Sequence, residues 1–411
     1  MKQIGRIYIH SFKGLSIESW MLSIVMLINR TGSMVLPFLG VYMTDHLGFS
    51  LKESGVVLSC FGIGSVAGSW IGGYITDKMG EYPIQAFSLF VSVPMFCLYP
   101  LFTTPASLAV MVLAQSIISE LFRPANAVAI TKYARPENLT RAFSLNRMAI
   151  NLGFSIGPAT AGLLAAVSYD LLFYVNALAA LIAGIVYIYF FRKRQRLFKL
   201  RQARQKAHMS RSEIPPLGRS AYLDIYFWIF CLLCTAFAVC FFQLMNTLPI
   251  FYKDGIGLSK TYIGLLLGMN GLVVVALEML IVHFAEQKLK LSQTMLWGTI
   301  LCAASYFILI FYPDLIWLMI SISLLSIGEI LVLPFMATIT ALRASAHNKG
   351  TYMGINGMAV AIAFIISPLL GTDTANLYGF SSLWTMTTIL LLFTAFGFYF
   401  FIPLLTRKKF V

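Results

Sequence analysis

Charged residues are scarce in this chain. Only 11% of its 411 residues are Asp, Glu, Lys or Arg, against about 25% in soluble domains. Hydrophobic residues make up 59%, and the mean hydropathy is +0.81. This composition excludes a soluble globular domain and predicts a polytopic membrane protein. The apolar runs are continuous rather than alternating, which favours helices over a β-barrel.

An ATP-binding loop and a zinc-protease motif are missing as well. The chain has no Walker glycine-lysine loop, no HExxH zinc motif and no soluble domain that could house a catalytic site. Cys231 and Cys234 form a CxxC, but no second pair and no histidine accompanies them, so we interpret them as packing residues. We therefore expect no enzyme activity, no metal and no cofactor.

Spans of roughly 20 residues leave room for about twelve helices in a chain of this length. We predict an all-α membrane protein with twelve transmembrane helices in two pseudo-symmetric six-helix bundles. The bundles take residues 1–191 and 221–411, and a basic cytoplasmic linker at 192–220 joins them. The expected spans are 18–43, 52–75, 84–103, 107–131, 143–167, 170–191, 223–250, 260–284, 292–312, 314–341, 351–373 and 380–405.

The net charge of +14 comes from 30 Lys and Arg residues against 16 Asp and Glu. Of these basic residues, 24 fall in the termini, the linker and the loops on one side of the predicted topology. Basic residues mark the cytoplasmic side of a membrane protein, so nucleic acid is not an expected partner. We expect a monomer in the plasma or inner membrane with both termini cytoplasmic. Contact of the linker with anionic lipid is the alternative interpretation.

Two stretches repeat each other across the chain, at Asn138–Gly162 and Asn348–Gly371. Aligned on their prolines, they share asparagine, methionine, alanine and phenylalanine positions. The turns after the first span of each half also match, with Gly48-Phe49-Ser50 against Gly257-Leu258-Ser259. Two repeated halves joined by a cytoplasmic loop are typical of a secondary transporter whose substrate site lies between the halves.

The two copies differ in their charge. Arg147 and Asn151 of the first stretch align with Gly357 and Ala361 of the second. The helix pattern is therefore repeated, while the charged residue is present only in the N-terminal copy.

Two short motifs fit this plan. Gly73-x-x-x-Asp77-Lys78-x-Gly80 follows the second span, and Gly153-x-x-x-Gly157-Pro158-x-x-x-Gly162 lies in the fifth. Together with the topology, they resemble the major facilitator superfamily, and the second motif resembles its drug/proton antiporter branch. The resemblance implies two six-helix bundles, alternating access and an aspartate at position 77 that latches one conformation.

The residue types in these motifs suit a gating role. Glycines one helical turn apart let helices approach closely, and a proline permits a kink. Asp77 can cap a helix N-terminus or pair with a cation across an interface. Ordinary close packing is the alternative for both motifs. The candidate conformational gate comprises Gly73, Asp77, Gly80, Gly153, Gly157 and Pro158.

The chain departs from the family pattern at two places. Glu81 and Tyr82 stand where the loop motif usually continues with basic residues, which alters the charge latch. Leu113 stands where the antiporter branch commonly carries an arginine, eleven residues before Pro124. The second departure weakens the resemblance to drug efflux.

Charges inside the predicted spans are costly, so we expect them to be functional or paired. Glu120 and Arg123 share a helix face and can pair. An arginine cannot release its proton and can only bind solute or pair, whereas a desolvated carboxyl group can carry a proton. The candidate proton-coupling residues are Glu120, Glu278 and Glu329. The candidate substrate-binding residues are Arg30, Asn29, Arg123, Arg147, Asn151, Gln243 and Asn356.

This distribution predicts a cavity with a positive wall in the N-terminal half and an acidic wall in the C-terminal half. Structural ion pairs are the alternative for the charges. Plain interhelical hydrogen bonds are the alternative for the amides, as they are for Asn246 and Asn270.

Three functions stay open. The first is proton-coupled transport of a small organic solute. Efflux by antiport is favoured, and uptake of a zwitterionic or anionic solute (a peptide, siderophore or organic acid) is the alternative. The second is facilitated transport without protons. The third, a receptor or an intramembrane enzyme, requires a large loop or a catalytic set within the spans, and the sequence has neither.

Overall fold

The computed structural model describes residues 8, 10–32, 35–165, 167–208, 220–311, 314–345 and 347–406. These residues are almost entirely helical, and none of them lies in a β-strand. The helices are α1 (Ile17–Thr31), α2 (Val35–Val41), α3 (Leu51–Met79), α4 (Glu81–Leu98), α5 (Pro105–Glu120), α6 (Phe122–Tyr133), α7 (Leu139–Ala165), α8 (Asp170–His208), α9 (Ile225–Phe241), α10 (Leu248–Ile250), α11 (Lys260–Lys288), α12 (Leu291–Phe311), α13 (Leu315–Arg343) and α14 (Lys349–Thr406).

Nine helical stretches within the described ranges are long and apolar enough to cross a membrane. The longest, α14, covers two of the expected spans and bends at Gly379, where φ is +81°. The expected fourth span is divided at Leu121 into α5 and α6, because Pro124 has no N–H to bond the carbonyl of Glu120. The twelve-span arrangement in two bundles stays a prediction.

The expected linker begins inside a helix. α8 continues to His208, beyond the apolar part of the sixth expected span. Its first basic residues therefore project from a helix, and Arg194 pairs with Glu18 of α1 at 2.8 Å. The rest of the linker, at 209–219, lies outside the described residues.

The turns that follow α2 and α10 have the same backbone. Gly48 and Gly257 adopt φ angles of +70° and +82°, which glycine reaches without strain. Wide π-helical turns precede them at Tyr42–His46 and Phe251–Gly255, and a serine N-cap begins the next helix in each case. The predicted repeat is confirmed at these turns.

The largest apolar cluster among the described residues belongs to the C-terminal half. Trp384 is fully buried and stacks on Tyr306 with ring centroids 5.4 Å apart. The Tyr306 hydroxyl donates to the carbonyl of Cys240 at 2.9 Å. Cys231 and Cys234 are buried free thiols of the same core, which confirms their interpretation as packing residues.

Two helix pairs carry most of the contact between the halves, α3 with α14 and α7 with α11. In the first pair, glycines let the backbones touch. A Cβ on Gly73 would lie 2.4 Å from the Gly350 carbonyl oxygen, and one on Gly354 would lie 2.6 Å from the Ser69 carbonyl oxygen. At the other end of α3, a Cβ on Gly55 would meet nothing within 4 Å. The helices are therefore in contact at one end and apart at the other.

The contacting end carries basic residues from several helices, including Lys78, Lys132 and Arg343. We call it the basic end. Because Gly73 and Gly350 lie at this end and Gly55 at the other, the halves are closed at the basic end.

Asp224 ties the start of α9 to α13 and α14 at the basic end. Its carboxylate accepts two hydrogen bonds from Arg343, at 2.7 and 3.0 Å, and one from the Tyr352 hydroxyl at 2.8 Å. The Asp224 and Arg343 side chains are only 1% and 12% exposed. Burial by itself raises the pKa of Asp224, but the hydrogen bonds and the charge of Arg343 outweigh it and lower that pKa overall.

Asp224→Asn would leave Arg343 buried without its charged partner. We expect the free energy of unfolding to fall by about 3–5 kcal/mol at neutral pH, measured by thermal unfolding of the purified protein. Since the folded-state pKa of Asp224 is lowered, its contribution is present above the unfolded pKa of about 3.9. The contribution is lost as the pH falls through the folded value, so the two melting temperatures should converge in acid.

The matched control is Asp254→Asn, because Asp254 pairs with Lys253 at 3.5 Å with both side chains more than half exposed. An exposed pair of this kind contributes about 0–1 kcal/mol. Equal destabilisation by Asp224→Asn and Asp254→Asn would contradict the assigned role of Asp224.

Gly73→Ala and Gly55→Ala compare the two ends of α3. Both variants gain about 0.5–1 kcal/mol of helix preference. At Gly73 the added methyl overlaps the carbonyl of Gly350, so we expect a net loss of about 1–3 kcal/mol and a lower melting temperature. Gly55→Ala should preserve or raise the melting temperature. Unchanged stability in both variants would show that α3 and α14 are not closely packed at the basic end.

Candidate functional site

One arginine joins the two halves inside the apolar interior. Arg147 on α7 donates through Nη1 to Glu278 Oε1 on α11 at 3.2 Å, and its Nη2 lies 3.3 Å from Glu329 Oε1 on α13. Nη1 also donates to the Glu329 carbonyl at 3.3 Å. The three side chains are 12%, 0% and 3% exposed, respectively. We call these residues the central cluster, whose net charge is −1 when all three are ionised.

Glu329 has a further donor that the sequence did not single out. Asn270 on α11 donates to Glu329 Oε1 at 3.2 Å and to Ser326 Oγ at 2.9 Å. Asn270 stands eight residues before Glu278, on the same face of the helix. That spacing is the signal by which sequence analysis could have grouped Asn270 with the carboxylates.

The other charges within the spans form a group inside the N-terminal half. Arg123 Nη1 pairs with Glu120 Oε2 at 3.3 Å, which confirms the predicted pair on one helix face. Arg30 on α1 interacts electrostatically with both residues. The Arg123 side chain is 37% exposed and that of Glu120 is 10% exposed. We call these residues the N-half cluster, whose net charge is +1.

The predicted amide ligands occupy different surroundings. Gln243 is 1% exposed, donates to the Ser367 carbonyl at 3.0 Å and accepts from a nearby threonine hydroxyl at 2.6 Å. Asn29, Asn151 and Asn356 are half-buried on α1, α7 and α14. The buried Oδ1 of Asn356 meets no hydrogen-bond donor within the described part of the chain. Gln243 is thus engaged in a helix contact, whereas Asn356 retains an acceptor.

Asp77 caps the N-terminus of α14 across the interface between the halves. Its carboxylate accepts the backbone N–H groups of Gly350 at 2.6 Å and Thr351 at 2.7 Å, and the Thr351 hydroxyl at 2.5 Å. A carboxylate here satisfies N–H groups that lack helical partners and meets the positive end of the helix dipole. The predicted capping of a helix N-terminus is confirmed. Gly80, with φ of +87°, turns the chain directly after α3.

A second carboxylate makes the corresponding contact on the other helix pair. Glu286, near the end of α11, pairs with Arg141 Nε at 3.0 Å, near the start of α7. Asp77 and Glu286 are separated by the same interval as Gly48 and Gly257, which the sequence repeat aligns. The two contacts are therefore related by the repeat. Sequence analysis missed Glu286, and the repeat interval is the signal that could have found it.

Arg141 also holds the N-terminal segment against the basic end. Its Nη1 donates to the Ser11 carbonyl at 3.1 Å and to the Lys13 carbonyl at 3.2 Å. The ring of His10 lies 5.6 Å from that of His283 in the C-terminal half. The chain before α1 thus takes part in the contact between the halves.

The glycine motif of α7 brings this helix against α1. A Cβ on Gly153 would lie 2.6 Å from Arg30 Cβ, so only glycine permits this approach. Gly157 is buried, and α7 is continuous through Pro158, whose side chain lies outside the described residues. The same helix carries Arg147, so close packing at Gly153 holds the N-half cluster beside the helix of the central cluster.

The departure at Glu81 has a structural consequence. Glu81 pairs with Lys132 of α6 at 2.5 Å, and Lys132 also donates to Gln195 at 2.7 Å. The residue after the loop motif therefore binds within its own half. Among the residues described, Asp77 is the side chain of the loop motif that forms hydrogen bonds with the C-terminal half.

The structure divides the predicted proton-coupling residues between the two clusters. Glu278 and Glu329 share Arg147, and Glu120 pairs with Arg123. The sequence predicted a positive wall and an acidic wall on opposite sides of a cavity. In the structure the two are in direct contact, because Arg147 pairs with Glu278 and Glu329.

Comparisons with known proteins agree with this architecture. YqjV of Bacillus subtilis (strain 168), an uncharacterized MFS-type transporter, is 28% identical over 393 residues, covering 92% of this chain and 93% of that protein. The multidrug resistance protein MdtH of Blochmanniella pennsylvanica (strain BPEN) is 24% identical over 375 residues, covering 89% of this chain and 88% of that protein.

Two solved structures share the fold. The human organic anion transporter MFSD10 (TETRAN) superimposes with a TM-score of 0.71 at 16% identity, covering 93% of this chain and all of that chain. A bacterial homologue of the iron transporter ferroportin, in an outward-facing state, has a TM-score of 0.73 at 14% identity, covering 94% of this chain and 99% of that chain. The sequence model of the Major Facilitator Superfamily matches residues 21–368 and 244–410. The chain therefore belongs to the Major Facilitator Superfamily, as a multi-pass membrane transporter and not an enzyme.

Proposed function

We propose that this transporter is proton-coupled and moves a small organic solute across the membrane by alternating access. The observation that carries the proposal is the central cluster, in which Arg147 links two buried carboxylates of the opposite half. Charges in the interior of a membrane protein are expensive and mark ion pathways and solute sites by default. A carboxyl group at this interface can exchange a proton when the halves separate.

The topology that we propose has twelve spans in two six-helix bundles, residues 1–191 and 221–411, with the basic end in the cytoplasm. The clustering of Lys and Arg at that end supports this orientation. Both termini and the 192–220 linker would then be cytoplasmic, and the protein would lie in the cell's inner or plasma membrane as a monomer.

Gating follows from where the halves touch. Asp77, with Gly73 and Gly80, and Glu286 with Arg141 hold the basic end closed. At the other end, a Cβ on Gly55, Gly264 or Gly268 would meet nothing within 4 Å. This arrangement corresponds to a state closed to the cytoplasm. Motion to the opposite state bends or slides α7 at its Gly153–Gly162 segment.

The N-half cluster is the solute-binding region in this proposal. Arg123 is 37% exposed and its partner Glu120 is 10% exposed, and Arg30 adds a second positive charge near this pair. Asn29, Asn151 and Asn356 add hydrogen-bonding groups around it. Gln243 would join only if its contact with Ser367 were released.

Efflux by antiport is the favoured direction. Several relatives are named multidrug resistance protein MdtH, and the glycine motif of α7 resembles that of drug/proton antiporters. Proton-coupled uptake of a zwitterionic or anionic solute is the second candidate. The two arginines of the N-half cluster favour it, because a carboxylate or phosphate could bind the exposed part of Arg123.

Proteoliposomes distinguish the two directions and the uncoupled alternative. We expect vesicles with an acidic interior to accumulate an amphipathic fluorescent probe that carries no positive charge, because protons leaving the vesicle would drive the probe inward. Accumulation of a dipeptide or an organic acid from an acidic exterior would instead establish symport. Equilibration of every probe without accumulation, in either gradient, would refute proton coupling. A melting-temperature screen of drugs, peptides and organic acids, repeated on Arg30→Ala, supplies further probes.

Arg147→Ala tests the central cluster independently of any solute. The variant leaves two buried carboxylates without a cation, and we expect it to lose about 3–5 kcal/mol of unfolding free energy at neutral pH. Arg123→Ala is the matched control, and we expect a smaller loss, since Arg123 is 37% exposed and Arg30 remains near Glu120. Thermal unfolding at neutral and acidic pH measures both. Equal losses of unfolding free energy in the two variants would contradict the proposal that the buried carboxylates of the central cluster depend on Arg147.

A further inference from the structure

The two carboxylates of the central cluster have unequal surroundings. Glu329 Oε1 lies 3.3 Å from Arg147 Nη2 and accepts Asn270 Nδ2 at 3.2 Å. Asn270 is held in turn by Ser326 Oγ at 2.9 Å. Two donors, one of them charged, therefore stabilise a negative charge on Glu329.

Glu278 has fewer hydrogen-bond donors than Glu329. Its Oε1 accepts Arg147 Nη1 at 3.2 Å, but its buried Oε2 finds no hydrogen-bond partner anywhere in the described ranges. The side chain is 0% exposed, so bulk water does not reach it in this conformation. An ionised carboxylate is an acceptor on both oxygens, and leaving one without a donor in an apolar interior is costly. A neutral carboxyl group avoids the larger part of that cost.

The charge count leads to the same residue. One guanidinium faces two carboxylates, so the cluster carries an unbalanced negative charge unless one carboxylate is protonated. The other titratable groups of the described residues that face it are Cys302 and Tyr306 on α12. Neither is cationic, and their donors are directed to the carbonyls of Leu325 and Cys240.

We propose that Glu278 is the site that binds the transported proton, with Glu329 as the fixed counter-ion of Arg147 and Asn270 as the residue that positions Glu329. The proposal rests on the proton coupling proposed above and assigns it to one carboxyl group. The step is a simple protonation: the Glu278 carboxylate takes one proton, and the cluster passes from a net charge of −1 to neutral. Because Glu278 and Arg147 belong to opposite halves, the proton is bound where the halves meet.

Infrared spectroscopy of the full-length protein in lipid tests this assignment directly. A titration above about pH 6, where exposed carboxyl groups are already ionised, should reveal a carboxylic-acid C=O band that disappears as the pH rises. Glu278→Asp should shift the frequency of this band, because a protonated aspartate absorbs at a different position from a protonated glutamate. Glu329→Asp should leave the frequency in place. Glu137→Asp, at an exposed position outside both clusters, is the matched control and should change nothing.

Asn270→Ala separates a positioning role from a merely structural one. Without its amide, Glu329 loses a donor and competes for the proton, so we expect the band to split into two components. A change in melting temperature with a single unshifted band would overturn the positioning role. Glu278→Gln should remove the band altogether.

The outcomes separate this proposal from the function on which it rests. A band that moves with Glu329→Asp and not with Glu278→Asp overturns the assignment, whatever the vesicle assays show. The absence of a titrating band in the wild-type protein overturns it as well. A band that moves with Glu278→Asp, in a protein that accumulates no probe in either gradient, upholds the proton site while refuting coupled transport.

Discussion

The pairing of Arg147 with Glu278 and Glu329 is the interaction on which the rest of this structure depends. Burying three ionisable side chains in an apolar interior is tolerable only while each finds a partner, and here the partners come from opposite halves. The halves cannot separate at this level without exposing, neutralising or re-pairing these groups. If the cluster binds the transported proton, as proposed, a change in proton occupancy would act on the contact between the halves directly.

The contacts at the basic end also hold the two halves together. Asp77 on the N-terminus of α14 and Glu286 beside Arg141 are equivalent positions of the repeat, so the same device closes both helix pairs. In the proposed mechanism, opening this end would break both contacts, and a bound proton or solute would offset their summed cost.

Local features of this chain were predictable from its sequence, and long-range partners were not. The Glu120–Arg123 pair, the positive-φ turn at Gly48 and the buried CxxC follow from helix spacing, glycine chemistry and apolar context. The partners of Arg147 lie 131 and 182 residues away, and only tertiary packing decides which carboxylates it meets. Spacing along α11 could group Asn270 with Glu278, but its actual acceptor, Glu329, lies on another helix and is likewise decided by tertiary packing.

Because the two copies of the repeat have diverged, the α3–α14 and α7–α11 interfaces are held by different interactions. Where α7 carries Arg147, its copy in α14 carries Gly357, and a Cβ there would lie only 3.3 Å from Ser69 Oγ. A side chain at this position would press on Ser69, beside the place where α3 and α14 approach through Gly73, Gly350 and Gly354. The contact of α7 with α11 is instead bridged by charge. In the proposed mechanism, protonation at the central cluster would act on the second interface through its ion pairs, whereas the first depends on glycine packing and on the cap that Asp77 forms.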